Sequence, residues 1–171
     1  MKILFTGGGT GGHFYPIIAV AEALHESVVE RRMLAPQLYY MAPTAYNPRA
    51  LFDNDIQFVS VPAGKMRRYF SLLNFSDAFK TLAGCFMAVI KLYSIYPDVV
   101  FSKGGYGAFP VLVAARFLRI PVIIHESDSR PGRVNRWSAK FARRIALSYP
   151  AAAPLFGAKN QAKIAFTGNP I

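Results

Sequence analysis

Five glycines in six residues, Gly7-Gly8-Gly9-Thr10-Gly11-Gly12, separate a β-type run at 2–6 from a stretch with helical periodicity. Such a junction commits the chain to a strand, a tight turn and a helix whose first N–H groups point at whatever lies beyond the turn. Gly7, Gly9 and Gly12 satisfy the G-x-G-x-x-G spacing of dinucleotide-binding turns. A nicotinamide or flavin site should also place an acidic residue after the second strand, to hold the ribose, and Met41-Ala42-Pro43-Thr44 stands there instead. No Lys-Ser/Thr follows the glycines, which argues against a P-loop nucleotidase. Two readings remain for the turn: an anion-binding loop, or a tight strand-to-helix turn without a ligand.

Further β-type runs near 37–42, 56–61, 98–102, 120–125 and 143–147, with a weaker one near 163–166, alternate with helical patterns near 14–33, 75–95, 108–119 and 131–141. Alternation of this kind predicts an α/β fold, Rossmann-like, with a mostly parallel sheet and helices on both faces. The first helix places Ile17, Ala21, Leu24 and Val28 on one stripe, with Glu22, Glu26 and Glu30 elsewhere. The longest carries Phe79, Leu82, Phe86, Val89 and Tyr93 at helical spacing, and Pro97 stops it before the next strand. A chain of 171 residues with 53% hydrophobic content suits one compact domain, and no internal repeat interrupts it.

A net charge of +11 implies an anionic partner: nucleic acid, a phosphorylated small molecule or an acidic membrane surface. A lone cysteine, Cys85, excludes an internal disulfide, and its neighbours Leu82, Phe86 and Val89 suggest a small core hydrophobe. The opening Met-Lys-Ile-Leu-Phe meets glycine before any apolar h-region can form, and the apolar run 82–90 is about half a bilayer span. A soluble cytoplasmic protein, able to sit on a membrane, is expected.

Four features carry chemistry. His13 falls on the first turn of the first helix; it is either a helix-start residue bonded to the loop or a general base, since a neutral imidazole accepts a hydroxyl proton near pH 7. The helix N-terminus favours that neutral form. His25, among glutamates, reads as exposed. A second glycine loop, Ser102-Lys103-Gly104-Gly105-Tyr106-Gly107, again joins strand to helix, so two phosphate-cradling turns leave one sheet edge and together suit a diphosphate. Tyr106 is either a lid on that turn or a substrate contact. From residue 99 onward the chain has eleven Lys and Arg but two acids, Glu126 and Asp128, both at the end of a strand in His125-Glu126-Ser127-Asp128. They read as site residues or as partners of Arg130 or Arg133, while Asn135 and Arg136 read as solvent-facing. Lastly, Lys65, Arg67 and Arg68 adjoin Tyr69, Phe70, Leu72, Leu73 and Phe75, a mixture that suits either docking on an anionic bilayer or burial of the apolar side chains. No RNA- or DNA-binding motif accompanies them, so nucleic acid is not expected as a partner.

Gly8-Gly9-Thr10-Gly11-Gly12-His13 with Pro16, Gly104-Gly105-Tyr106 with Pro110, His125-Glu126 and Gly168-Asn169-Pro170 occur in one order and spacing. In this the chain resembles, along its whole length, the N-terminal half of the MurG family of GT-B glycosyltransferases. The resemblance implies residues 1–166 as a Rossmann-like acceptor-binding domain and 167–171 as the start of a linker to a C-terminal donor-binding domain. It implies an inverting hexosyltransferase that moves N-acetylglucosamine from UDP-N-acetylglucosamine to undecaprenyl-diphosphate-muramyl-peptide (lipid I), making lipid II for peptidoglycan. This half alone is then expected to be inactive. The acceptor diphosphate falls to Gly8, Gly9, Thr10, Gly11, Gly12, Gly104, Gly105 and Tyr106, and the donor sugar to Thr10, His13 and Asp128. His13 becomes the leading general base, with Glu126 second. Where the family commonly reads His-Glu-Gln-Asn, this chain has a carboxylate, Asp128, in place of the last amide. No tightly bound cofactor or metal is implied, although a divalent cation could stimulate. UDP-N-acetylglucosamine, lipid I and an anionic inner leaflet are the expected partners, with the protein cytoplasmic and peripheral on the bacterial plasma membrane. Two alternatives stay open: the acceptor chain of a split glycosyltransferase whose partner chain holds the donor, and a non-catalytic module for phosphorylated ligands.

Overall fold

A computed structural model describes residues 1–65 and 73–170. Seven strands, β1 (Lys2–Thr6), β2 (Gln37–Ala42), β3 (Ile56–Ser60), β4 (Val99–Ser102), β5 (Val122–Glu126), β6 (Arg144–Leu147) and β7 (Ile164–Phe166), form one sheet in the order β3-β2-β1-β4-β5-β6-β7. Every pairing is parallel. All seven expected strands are present. The helices are α1 (Gly11–Glu30), α2 (Pro48–Asp53), α3 (Leu73–Ile95), α4 (Phe109–Phe117) and α5 (Arg133–Ser138), with short 3₁₀ turns at Tyr106–Ala108, Pro150–Phe156 and Ala158–Lys163. Among the described residues, α2 and the 3₁₀ turns go beyond the sequence reading. Six residues are too few for a helical period, although Asn47 before Pro48 caps α2 by accepting the Ala50 N–H at 3.1 Å.

Alternation along each strand sends side chains to two separate cores. Ile3 and Phe5 on β1 join Phe14, Ile17, Ile18 and Ala21 of α1 on one face, while Leu4 joins Ala88 and Leu92 of α3 and Val111 and Leu112 of α4 on the other. The stripe expected on α1 is in place, with Ile17 and Ala21 wholly buried and the three glutamates exposed.

The aromatic row of α3 faces outward. Phe79, Leu82, Phe86 and Tyr93 are 58 to 72% exposed, and the buried side of α3 is Gly84, Ala88 and Leu92. Close approach selects that side, because a Cβ on Gly84 would lie 1.8 Å from the Pro62 carbonyl oxygen and one on Gly64 would lie 2.0 Å from the Asp77 carbonyl oxygen. Only the small-residue face fits against the backbone beneath it, so the large side chains turn outward. Cys85 is accordingly half-buried beside exposed Leu82 and Phe86, not inside the core. Phe75–Ile95 is long and apolar enough to cross a membrane by length and composition, but Ala88 and Leu92 are fixed in the core.

Candidate active site at the switch point

In the strand order, the chain winds one way from β1 through β2 to β3 and the other way from β4 onward. Parallel sheets open a crevice at the carboxyl ends of the strands where the winding reverses, here between β1 and β4. Both glycine loops leave from these two strands. They touch each other: a Cβ on Gly105 would lie 2.7 Å from the Gly8 Cα, and one on Gly8 would lie 3.1 Å from the Gly105 Cα. Gly104 and Gly105 have φ of +76° and +81°, a region that other residues rarely adopt. Tyr106 folds over the first loop, its hydroxyl 3.1 Å from where a Gly9 Cβ would be.

Helix α1 begins at Gly11, three residues earlier than its apolar periodicity suggests, which puts His13 within the first turn. Its Nδ1 lies 2.8 Å from Thr10 Oγ1. Thr10 occupies the N-cap position but spends its hydroxyl on the imidazole, making no cap bond to the backbone. The ring spans both loops, each imidazole nitrogen within 3.4 Å of a position that a Cβ would take, Nδ1 at Gly8 and Nε2 at Gly105. Burial, then the positive charge of Lys103, holds the His13 pKa below the ordinary histidine value, while Glu126 and Asp128 oppose them. The neutral form of the imidazole is thereby favoured.

Strand β5 delivers the other half of the pocket. Glu126 is buried and both carboxylate oxygens are engaged: Oε1 accepts from the Asp128 N–H at 3.1 Å, and Oε2 from the Gly132 N–H at 2.9 Å and Asn135 Nδ2 at 3.0 Å. Its carboxylate therefore shapes the loop 127–132. Neither Glu126 nor Asp128 forms an ion pair with Arg130 or Arg133. Asn135, expected to face solvent, is 2% exposed and also donates to the His125 carbonyl at 3.1 Å. It packs under Gly104, where a Cβ would come within 2.5 Å of Asn135 Oδ1. His25 too departs from expectation, half-buried with Nε2 3.0 Å from the Asn54 carbonyl.

Lys103 is the residue that sequence reasoning passed over. It lies in the second loop, is 2% exposed, and donates from Nζ to His125 Nδ1 at 2.8 Å and to Ser127 Oγ. Burial pulls its pKa down to about 8 against the pull of Glu126 and Asp128. Thr10, Gly12, His13, Lys103, Glu126, Ser127 and Asp128 line a cavity of about 110 Å³. The structure thus gathers Thr10, His13, Glu126 and Asp128 from distant parts of the sequence into one pocket beside both glycine loops. The segment expected to follow Phe166 as a linker folds back on it: Ser127 Oγ donates to Asn169 Oδ1 at 3.0 Å, and His125 Nε2 meets the Gly168 carbonyl at 3.1 Å. Among the described residues no group of three or more His, Cys, Asp or Glu could hold a metal ion. Of the basic and aromatic segment, Lys65 and Phe75 are exposed, Leu73 opens α3, and Arg67, Arg68, Tyr69, Phe70 and Leu72 lie outside the described residues.

Comparison with known proteins bears on this arrangement. The model of the glycosyltransferase family 28 N-terminal domain matches residues 3–147. The UDP-N-acetylglucosamine--N-acetylmuramyl-(pentapeptide) pyrophosphoryl-undecaprenol N-acetylglucosamine transferase of Treponema denticola is 42% identical over 99% of this chain, which covers 44% of that protein. The protein of the same name from Legionella pneumophila strain Lens is 44% identical over 99% of the chain, covering 45% of it. The chain thus spans less than half the length of these curated relatives. Among solved structures, Acinetobacter baumannii MurG superposes with a TM-score of 0.75 at 28% identity, over 98% of this chain and 46% of that one. The UDP-GlcNAc 2-epimerase of Neisseria meningitidis, at TM-score 0.67 and 16% identity, shares the fold alone.

Proposed function

The chain belongs to the glycosyltransferase family 28 N-terminal domain family, and from that premise we propose that it is the acceptor-binding half of an inverting N-acetylglucosaminyltransferase. One observation carries the reading: the two glycine loops meet at the switch point with the His13 imidazole set across them. The acceptor is a lipid-linked diphosphate bearing a muramyl peptide, lipid I, as the relatives' printed names suggest. Backbone N–H groups of Gly8, Gly9, Gly11, Gly12, Gly105 and Tyr106 hold the diphosphate, aided by the positive end of α1, while those of Thr10 and Gly104 brace the loops by donating to the Gly8 carbonyl and to Ser102 Oγ.

In the transfer step the muramyl 4-hydroxyl oxygen forms its bond to the anomeric carbon of N-acetylglucosamine. The bond from that carbon to UDP breaks, with the electron pair leaving on the diphosphate, and the hydroxyl proton passes to His13 Nε2. Thr10 orients the ring by accepting from Nδ1–H. Thr10 and Asp128 face the donor sugar, and Glu126 holds the floor of the pocket. The part of the relatives that this chain does not span is assigned the UDP.

The exposed row Phe75, Phe79, Leu82, Phe86 and Ile90 on α3, with exposed Lys65 and Lys80 nearby in the chain, supports docking on the anionic inner leaflet. Helix α3 then lies along the surface, since crossing the bilayer would tear Ala88 and Leu92 from the core. The test of the chemistry is His13→Ala in a form that also carries the donor-binding region. Its kcat should fall by about 100-fold or more with little change in acceptor affinity. Unchanged turnover would remove His13 as the base.

A further inference from the structure

Lys103 has no role in the reading above, yet it is a buried cation at the pocket wall. An ammonium group has three N–H donors and no lone pair, so it can only donate. Two of its hydrogens go to His125 Nδ1, at 2.8 Å, and to Ser127 Oγ. Glu126, adjacent to His125, turns its carboxylate away onto Asp128, Gly132 and Asn135. The donor at Nδ1 dictates the state of His125, which must offer a lone pair there and therefore carries its hydrogen on Nε2. That hydrogen faces the Gly168 carbonyl at 3.1 Å, and the Ser127 hydroxyl faces Asn169 Oδ1 at 3.0 Å. Both branches run outward from Lys103 and end on Gly168 and Asn169.

We infer that Lys103 is a positioning residue: its ammonium sets the direction of this branched hydrogen-bond chain, fixes His125 as the Nε2–H tautomer and, facing His13 across the pocket, disfavours a second positive charge there. The groups facing it are His13 from α1, His125 and Glu126 from β5, and Asp128 from the following loop. Burial, the larger cause, lowers the His13 pKa as Lys103 does, and the two carboxylates oppose both. His125 responds as the chain requires, held down to about 4 by burial and by Lys103. A lysine at this place thus tunes the base without touching it. The link to catalysis rests on His13 acting as the base; the hydrogen-bond chain does not.

Imidazole ¹⁵N NMR of the 171-residue chain tests the chain without any turnover. In the unsubstituted protein at pH 7, His125 should show an Nε2–H tautomer with Nδ1 accepting, and a single population. Lys103→Met, similar in volume, should move the titrations of both His13 and His125 to higher pH and mix the His125 tautomers. Lys103→Arg should restore the His13 titration. His25, at the far end of α1, supplies the control and should keep its resonances. An Nδ1–H His125 in the unsubstituted protein overturns the inference, as do unmoved His13 and His125 titrations in Lys103→Met. If Lys103→Met does not fold, the tautomer in the unsubstituted protein decides alone. A null result here leaves the His13→Ala assay untouched, so the two readings fail separately.

Discussion

At the scale of single residues, the site divides into what spacing reveals and what only burial reveals. The glycines and His13 were legible because a turn between strand and helix demands them at fixed offsets, whatever the rest of the chain does. Lys103 and Asn135 were not, since a lysine beside two glycines and an asparagine on a polar helix read equally well as solvated. What makes them matter is a neighbour far away in sequence: Ser127 and His125 for one, Glu126 and Gly104 for the other. The clearest prediction at this scale concerns Gly105. Alanine there would have to hold φ near +81° and place its Cβ 2.7 Å from the Gly8 Cα, so the two loops must separate. Gly105→Ala should cost about 1–3 kcal/mol from backbone strain alone, before the overlap is counted. Chemical denaturation checks this, and a stability equal to that of the unsubstituted protein contradicts it.

At the scale of elements, strand positions were read well because β-type runs bounded by Pro, Gly and polar residues leave little choice in an alternating α/β chain. Helix faces were read less well. In α3 the apolar pattern identifies a helix but not which side is buried, because the deciding contacts are backbone approaches at Gly64 and Gly84 that carry no hydrophobic signal. That packing leaves an apolar row outside, and a test follows from it. Leu82→Asp with Phe86→Asp alters side chains that are 68 and 70% exposed, so stability should change by less than about 1 kcal/mol. Sedimentation with anionic vesicles should weaken at least about tenfold, given roughly 1.5–3 kcal/mol for each large apolar side chain withdrawn from water. Undiminished binding would show that α3 is not the docking face.

At the scale of the whole molecule, one sheet with a core on each face brings three strand ends together, from β1, β4 and β5, and the pocket is their common product. Its protonation is therefore tied to folding. His125 is held down to about 4 when folded against 6.5 when free, so the unfolded chain takes up the proton first as pH falls. Stability should be fully present above about pH 6.5 and decline towards pH 4, by up to about 1.4 kcal/mol per pH unit for one proton, with His13 acting in the same direction. A urea midpoint lower at pH 5 than at pH 7, with a shallower dependence in His125→Gln, is the expected result; a rising midpoint contradicts it. The central claim is that the paired glycine loops hold a lipid-linked diphosphate. Titration of the chain with a short-prenyl lipid I analogue, followed by amide NMR, tests it most directly. Saturable shifts centred on Gly8 to Gly12 and Gly104 to Tyr106 are expected; no binding, or shifts confined to surfaces away from both loops, would contradict diphosphate binding by the loops.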